Sequence, residues 1–314
     1  MTLLETRDLS KTYPGAHGAT VQAVSEVSLT LDAGEVLGVV GESGCGKSTL
    51  GRSILRLAEP TGGQILFRGK DITRASKHEM KALRRDMQII FQDPFGALNP
   101  RHKIGHILAE PLIVQRVGDS ASRSARVTEL LELVGLPPEA AALYPHEFSG
   151  GQRQRIAIAR ALSLDPALIV ADEAVSALDV SIQSQIINLI ASLRRRLGLA
   201  ILFISHDLSV IRHVSDRIAV MYLGRIVEMG PTEAIMSAPQ HPYTQALLSS
   251  IPRLGVDHRS RIVLQGEVPD PAHPPAGCAF HSRCTKAMDI CKQVRPLLLR
   301  HDGTPQEVAC HLFP

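Results

Sequence analysis

No stretch of the 314 residues approaches the ~18 uninterrupted apolar residues that a membrane span requires. The opening residues, Met1-Thr2-Leu3-Leu4-Glu5-Thr6-Arg7-Asp8, lack the basic region and apolar run of a secretory leader. Both absences point to a chain kept in the cytosol, with any membrane role reached through a partner. No basic block is present either, because the net charge of +3 is spread along the chain, and this argues against nucleic acid as the main ligand. Sustained heptads, and with them a long coiled coil, are missing. Cysteine is scarce until the end: Cys45 stands alone, while Cys278, Cys284, Cys291 and Cys310 fall within the last 37 residues.

What is present is 44% apolar residues, enough for the core of one α/β domain plus a smaller appendage. The organising stretch is Gly41-Glu42-Ser43-Gly44-Cys45-Gly46-Lys47-Ser48-Thr49, which spells GxxxxGK[ST]. The apolar run Val36 to Val40 before it reads as a buried parallel strand, and Thr49 to Leu57 after it as a helix. Gly41, Gly44 and Gly46 let backbone N–H groups turn inward around phosphates, and the new helix presents its positive end to them. Lys47 is suited to the terminal phosphates and the Ser48 hydroxyl to Mg²⁺. Cys45 reads as a small filler, although a thiol at a helix N-terminus tends toward a lowered pKa, so a maleimide is expected to react there and ATP to protect. Tyr13, before the strand that feeds the loop, either stacks on a purine or packs at a strand edge.

Further strands are expected at Thr20 to Val24, Val27 to Leu31, Gln64 to Phe67, Met87 to Gln92, Ala167 to Ala171 and Ala200 to Ile204. Residues 93–165 read as helices broken by Pro94, Pro100, Pro111 and Pro137-Pro138, a helical insert. Ile182, Ile186, Leu189, Ile190, Leu193 and Leu197 recur at helical spacing, stopped by Gly198. Parallel sheets gather ligands at the carboxyl ends of their strands, where Gln92, Asp172, Glu173 and His206 all fall. Asp172 suits a Mg²⁺ ligand and Glu173 a general base or orienter for the attacking water, with a helix N-cap as the plainer alternative for the acidic pair. Ser149-Gly150-Gly151-Gln152 opens a helix, with Ser149 as its cap and exposed N–H groups forming a second anion cradle. One nucleotide needs only one such cradle.

These motifs, with the loop Ser176-Ala177-Leu178-Asp179, together resemble the nucleotide-binding subunit of an ABC transporter over about residues 1–236. Phe148 stands for the usual Leu and Ala174 for a common Pro, and neither change removes a functional group. The resemblance implies an α/β fold: a P-loop (RecA-like) parallel-sheet core with an antiparallel β edge, a helical insert and a small C-terminal Cys-containing module. It implies two such subunits paired head to tail, each ATP held between one P-loop and the other's Ser149 to Gln152. The nucleotide contacts it implies are Tyr13, Gly41, Ser43, Gly44, Cys45, Gly46, Lys47, Ser48, Thr49, Gln92, Ser149, Gly150, Gly151 and Gln152. Ser48, Gln92 and Asp172 serve Mg²⁺, while Glu173, His206 and Lys47 carry hydrolysis.

His241-Pro242-Tyr243-Thr244-Gln245-Ala246-Leu247-Leu248 and the cysteine group resemble the tail of oligopeptide and dipeptide permease ATPases, as does Phe91 to Pro100. The expected division is 1–92 with 166–236 as the ATP-binding core, 93–165 as the helical subdomain and 237–314 as the C-terminal module. Implied partners are a second ATPase, usually a paralogue, two membrane permease subunits and an extracytoplasmic solute-binding protein, which puts the chain on the cytoplasmic face of the membrane. A soluble ABC ATPase of translation or DNA repair, an importer of nickel or another small solute, and a redox-sensing module are the alternatives. The four cysteines lack the paired CxxC of ordinary zinc ribbons and do not have a standard ferredoxin spacing either, and in a reducing cytosol metal ligation is the better reading than disulfides. The resemblance implies a [4Fe-4S] cluster, with zinc or unligated thiols as the alternatives, and the nearby Arg283, Lys286, Lys292 and Arg295 either offset thiolate charge or are simply surface residues.

Overall fold

The computed structural model describes residues 1–15, 18–250, 262, 264 and 266–313. Part of the expected C-terminal module, 251–261 with 263, 265 and 314, lies outside the described residues. The chain divides into two compact units, one of Met1, Asp32–Glu35 and Arg74–Ile204, the other of Thr2–Leu31, Val36–Thr73 and Ser205–Pro314.

The first unit is built on parallel strands. Leu168–Asp172 lies between Met87–Ile90 and the strand beginning at Ala200, with Ile89 opposite Val170 and Asp172 opposite Ile204. Every residue of Leu168–Asp172 is buried, as a continuous apolar run covered on both faces should be. Between the first two strands the chain is helical: Pro94–Ala97, Ile104–Val114, Ser120–Leu133 and Gly150–Ala161, with 3-10 turns at Pro138–Ala142 and Pro145–Glu147. Local chemistry sets these starts. Asp119 accepts from the Ser122 N–H at 2.9 Å, and the Ser122 hydroxyl receives the Asp119 N–H in return. The helix Val180–Leu197 buries Ile186, Ile190 and Leu193 and ends at Gly198, whose φ of 65° is the left-handed stop the sequence suggested. Leu197 is exposed, so the buried stripe is shorter than its apolar spacing implied.

The second unit holds an antiparallel sheet in the order Thr20–Asp32, Thr2–Pro14, Gly62–Phe67, Lys70–Asp71. Thr20–Asp32 runs as one strand where two were expected, because Glu26, at φ 52°, takes up the irregularity without breaking it. The same unit contains Leu299–Arg300, Glu307–Val308, Arg225–Pro231, Arg217–Tyr222 and Val36–Val40 in that order. Only the last pair is parallel, with Val39 opposite Ala219. The chain's last strands therefore extend this sheet: Glu228 faces Val308, and the Ala309 N–H donates to the Val227 carbonyl at 2.8 Å. Sequence patterning missed both strands because each is only two residues long. Among the described residues no helix is long and apolar enough to cross a membrane.

Candidate active site

In the second unit the loop Gly41 to Gly46 joins the buried strand Val36–Val40 to the helix Lys47–Ile54. Gly46 caps the helix at φ 104°, and a Cβ there would lie 1.9 Å from the Ala23 carbonyl oxygen. A Cβ on Gly41 would meet the Met221 carbonyl oxygen at 2.1 Å. Both positions thus demand glycine, one for its backbone conformation and one for close approach. The Lys47 ammonium, 4% exposed, donates to the carbonyls of Gly41 (2.8 Å) and Glu42 (2.9 Å) and so curls over the loop it belongs to. Ser43 and Gly44 are exposed, while Ser48 and Thr49 sit part-buried in the first helical turn.

Cys45 fits the small-filler reading but not the lowered thiol pKa. Its thiol is buried, and burial pushes its pKa up despite the neighbouring Lys47 ammonium, so it is a poor nucleophile rather than a primed one. Tyr13 has an exposed ring with the Lys11 ammonium 4.7 Å from its centre. His206 is exposed just before the helix Leu208–Val214, which Asp207 caps through the Ser209 N–H at 2.7 Å.

Two residues that sequence reasoning did not connect to the loop reach it from the C-terminal segment. Arg283 donates twice to the Glu42 carboxylate, at 2.7 and 3.0 Å, and the Glu42 N–H donates to the Tyr243 hydroxyl at 2.9 Å. Tyr243, Tyr222 and Phe280 form a buried aromatic group with ring centres 4.7 to 5.3 Å apart, and His241 stands 5.7 Å from Phe280. Aromatics make up only 4% of the chain, so each ring stands out in the sequence, but their convergence is legible only in the fold. Burial drives the His241 imidazole down to about 3, and Glu228, buried below it, accepts the Gln240 and His241 N–H groups at 2.7 and 3.0 Å.

The cations expected to offset thiolate charge are engaged elsewhere. Arg283 holds Glu42, Arg295 pairs with Glu26 at 2.6 Å, Lys292 with Asp289 at 3.2 Å, and Lys286 donates to Gln245 at 3.2 Å. The thiols of Cys278, Cys284 and Cys310 are pushed up first by burial and then by the other cysteines, Cys278 to about 11. The Lys286 N–H points at the Cys284 sulfur (3.4 Å) and the Met288 N–H at the Cys291 sulfur (3.5 Å). Among the described residues no group of three or more His, Cys, Asp or Glu is arranged to hold a metal ion, so neither the expected [4Fe-4S] cluster nor zinc is shown at these cysteines.

In the first unit Asp172, 2% exposed, ends its strand, and Glu173 follows at φ 50°. A non-glycine residue held in the left-handed region is strained, and here its N–H is fixed to the Ile204 carbonyl at 3.0 Å. The Gln92 side-chain amide donates to the Glu173 carboxylate at 2.9 Å and to the Ser176 hydroxyl at 3.4 Å. Gln92 and Glu173, 81 residues apart, are thus brought together. The helix Gly150–Ala161 starts as expected: Ser149 accepts the Gln152 N–H at 3.3 Å, and Gln152 accepts the Ser149 N–H at 3.0 Å. The helix closes at Ala161. A Cβ on Gly151 would come 2.6 Å from Ile182, so this glycine permits close packing on the helix Val180–Leu197. Ser149 and Gln152 are exposed.

Comparison with known proteins matches residues 24–176 to the family model described as ABC transporter and residues 227–291 to that of the oligopeptide/dipeptide transporter C-terminal region. The oligopeptide transport ATP-binding protein AppF of Bacillus subtilis (strain 168) is 53% identical over 99% of this chain and 98% of its own. The dipeptide transport ATP-binding protein DppF of Escherichia coli (strain K12) is 49% identical over 98% of this chain and 93% of its own. Among solved structures, the dimeric ATP-binding cassette MJ0796 in a post-hydrolysis state bound to ADP and Pi is 30% identical. It superposes with a TM-score of 0.67 over 73% of this chain and 99% of its own.

Proposed function

The chain belongs to the ATP-binding subunits of ABC transporters, in the branch that carries the oligopeptide/dipeptide C-terminal region, and from that premise we propose that it hydrolyses ATP to drive peptide import. It is a P-loop ATPase of α/β fold. The observation that carries the finer reading is the match to a peptide-transport ATPase across 99% of the chain, C-terminal region included. On this reading the subunit sits on the cytoplasmic face of the membrane, paired with a second, paralogous ATPase and bound to two permease subunits fed by an extracytoplasmic peptide-binding protein.

The chain's own groups divide the work. Gly41, Ser43, Gly44, Cys45, Gly46 and Thr49 surround the phosphates with backbone N–H groups, Lys47 takes the terminal phosphate charge, and Tyr13 offers its exposed ring to the base. Glu173 orients the attacking water. Gln92 steadies Glu173 through its amide N–H and keeps its amide oxygen for Mg²⁺, alongside Ser48 and Asp172. Each is a hard oxygen donor of the kind Mg²⁺ takes, and the bound ion would neutralise charge on the phosphates. His206 contacts the γ-phosphate. The exposed Ser149-Gly150-Gly151-Gln152 helix start serves the nucleotide of the partner subunit, and the solved dimer of a similar cassette supports that pairing.

Cys278, Cys284, Cys291 and Cys310 are the proposed [4Fe-4S] ligands. The soft donor set and the peptide N–H groups directed at two of the sulfurs support that reading. Anaerobic purification followed by iron and sulfide analysis tests it, and colourless protein with stoichiometric zinc contradicts it. The transport reading is tested by reconstituting the chain with its permease subunits. Peptide, presented by the binding protein, should stimulate hydrolysis and enter the vesicles; uptake of nickel but not peptide, or turnover indifferent to the permease, contradicts it.

A further inference from the structure

The P-loop is a backbone device, and its glycines leave it with little stiffness of its own. One residue in it, Glu42, is nevertheless fixed at three points. Its N–H donates to the Tyr243 hydroxyl, its carboxylate accepts both arms of Arg283, and its carbonyl accepts from the Lys47 ammonium. Arg283 is 8% exposed and stands in a short turn, His281–Arg283, directly before Cys284 and five residues after Cys278. That turn is held in place. The His281 ring nitrogen meets the Cys278 carbonyl at 2.8 Å, the Cys278 N–H donates to the Cys291 carbonyl at 2.8 Å, and Phe280 packs on Tyr222 and Tyr243.

A glutamate inside a triphosphate cradle is electrostatically misplaced, since it repels the ligand the loop exists to bind. The bidentate guanidinium both cancels that charge and fixes the direction of the side chain, which a lysine point charge would do less well. Because Glu42 also supplies a carbonyl to Lys47, displacing Glu42 disturbs the seat of the ammonium that meets the terminal phosphates.

We propose that Arg283 and Tyr243 are positioning residues for the phosphate loop, and that the cysteine-bearing segment sets the chain's affinity for ATP by holding and neutralising Glu42. The inference rests on ATP binding at this loop. The test is titration of the purified chain with a fluorescent ATP analogue, comparing the parent with Arg283→Met, Tyr243→Phe, Glu42→Gln and the double variant Glu42→Gln/Arg283→Met. Arg283→Met should weaken ATP binding about tenfold, because a carboxylate stripped of its partner now faces the phosphates. It should weaken adenosine binding far less. Adding Glu42→Gln should restore most of the loss, a rescue that a merely structural role for Arg283 would not produce. Tyr243→Phe should weaken ATP binding about threefold through the freed Glu42 amide. Should Arg283→Met fail to fold, Arg283→Lys keeps the charge but not the fork and should weaken ATP binding by an intermediate amount. A parent chain that binds no ATP defeats the ATPase reading itself. A parent that binds ATP, with arginine variants within twofold of it or without rescue by Glu42→Gln, overturns this inference alone.

Discussion

The phosphate loop and the Glu173 strand end meet their demands in opposite ways. Around the loop, Lys47 and Cys45 are buried, and Glu42 is anchored by Arg283 and Tyr243 from 241 and 201 residues away. Around Glu173 the anchors are shorter-range and more open. Gln92 is exposed, Ser176 bonds back to the Glu173 carbonyl at 3.0 Å, and the Ser149 cap is satisfied within its own helix turn. A binding cradle gains from being pre-organised by distant packing, since that lowers the ordering cost of binding. On the proposed pairing a hydrolytic end that also meets a partner's surface is better left accessible, and strain at Glu173 is tolerated where the neighbouring backbone fixes it.

The largest effect that would sharpen this contrast is at Glu173. Glu173→Gln should retain ATP binding while slowing hydrolysis by roughly 10²- to 10⁴-fold, read from single-turnover rates. Hydrolysis at the parent rate would remove Glu173 from the hydrolytic role. Next comes Ser149→Ala, which loses a helix cap worth about 1 kcal/mol and should lower the thermal midpoint modestly. It should leave ATP affinity of the isolated chain unchanged but reduce turnover in the paired enzyme. A change in the isolated chain's affinity would break the separation of the two regions.

A third test concerns the buried aromatic group beside the loop. The His241 pKa in the folded state, about 3, lies below the ordinary histidine value. The unfolded chain therefore binds the extra proton first, and stability contributed by neutral His241 is complete above about pH 6.5 and falls as pH drops toward the folded value. Denaturant titrations should show a slope that His241→Asn flattens by up to about 1.4 kcal/mol per pH unit. An unchanged slope would mean that the imidazole is not held neutral. The smallest effect expected is at Cys45: its raised pKa means slow maleimide labelling at neutral pH, accelerating only in alkali. Rapid labelling at neutral pH would restore the lowered-pKa expectation.

Much of this was legible in the residues because the chemistry is local. The P-loop lies within one strand–turn–helix, Ser149 caps through a residue three positions on, and Asp172-Glu173 follows its own apolar strand. The meeting of Gln92 with Glu173 was foreseeable from strand ends alone. What escaped was long-range. Nothing in the spacing of Arg283 to Glu42 indicates a pair, and a basic residue beside cysteines naturally suggests thiolate neutralisation. The burial of Cys45 escaped for the same reason: the helix start that lowers a thiol pKa is local, whereas the packing that raises it depends on how the loop is covered.

On the proposed function one chain holds a complete binding cradle but only part of a hydrolytic site. The most direct measurement follows ATP binding and turnover per chain as the partner ATPase is added to a fixed amount of this subunit. ATP should bind the isolated chain with little turnover, and turnover should rise steeply with pairing, while a partner whose own signature serine is replaced by alanine should fail to support it. Full turnover by the isolated chain, independent of concentration and of partner, would contradict it.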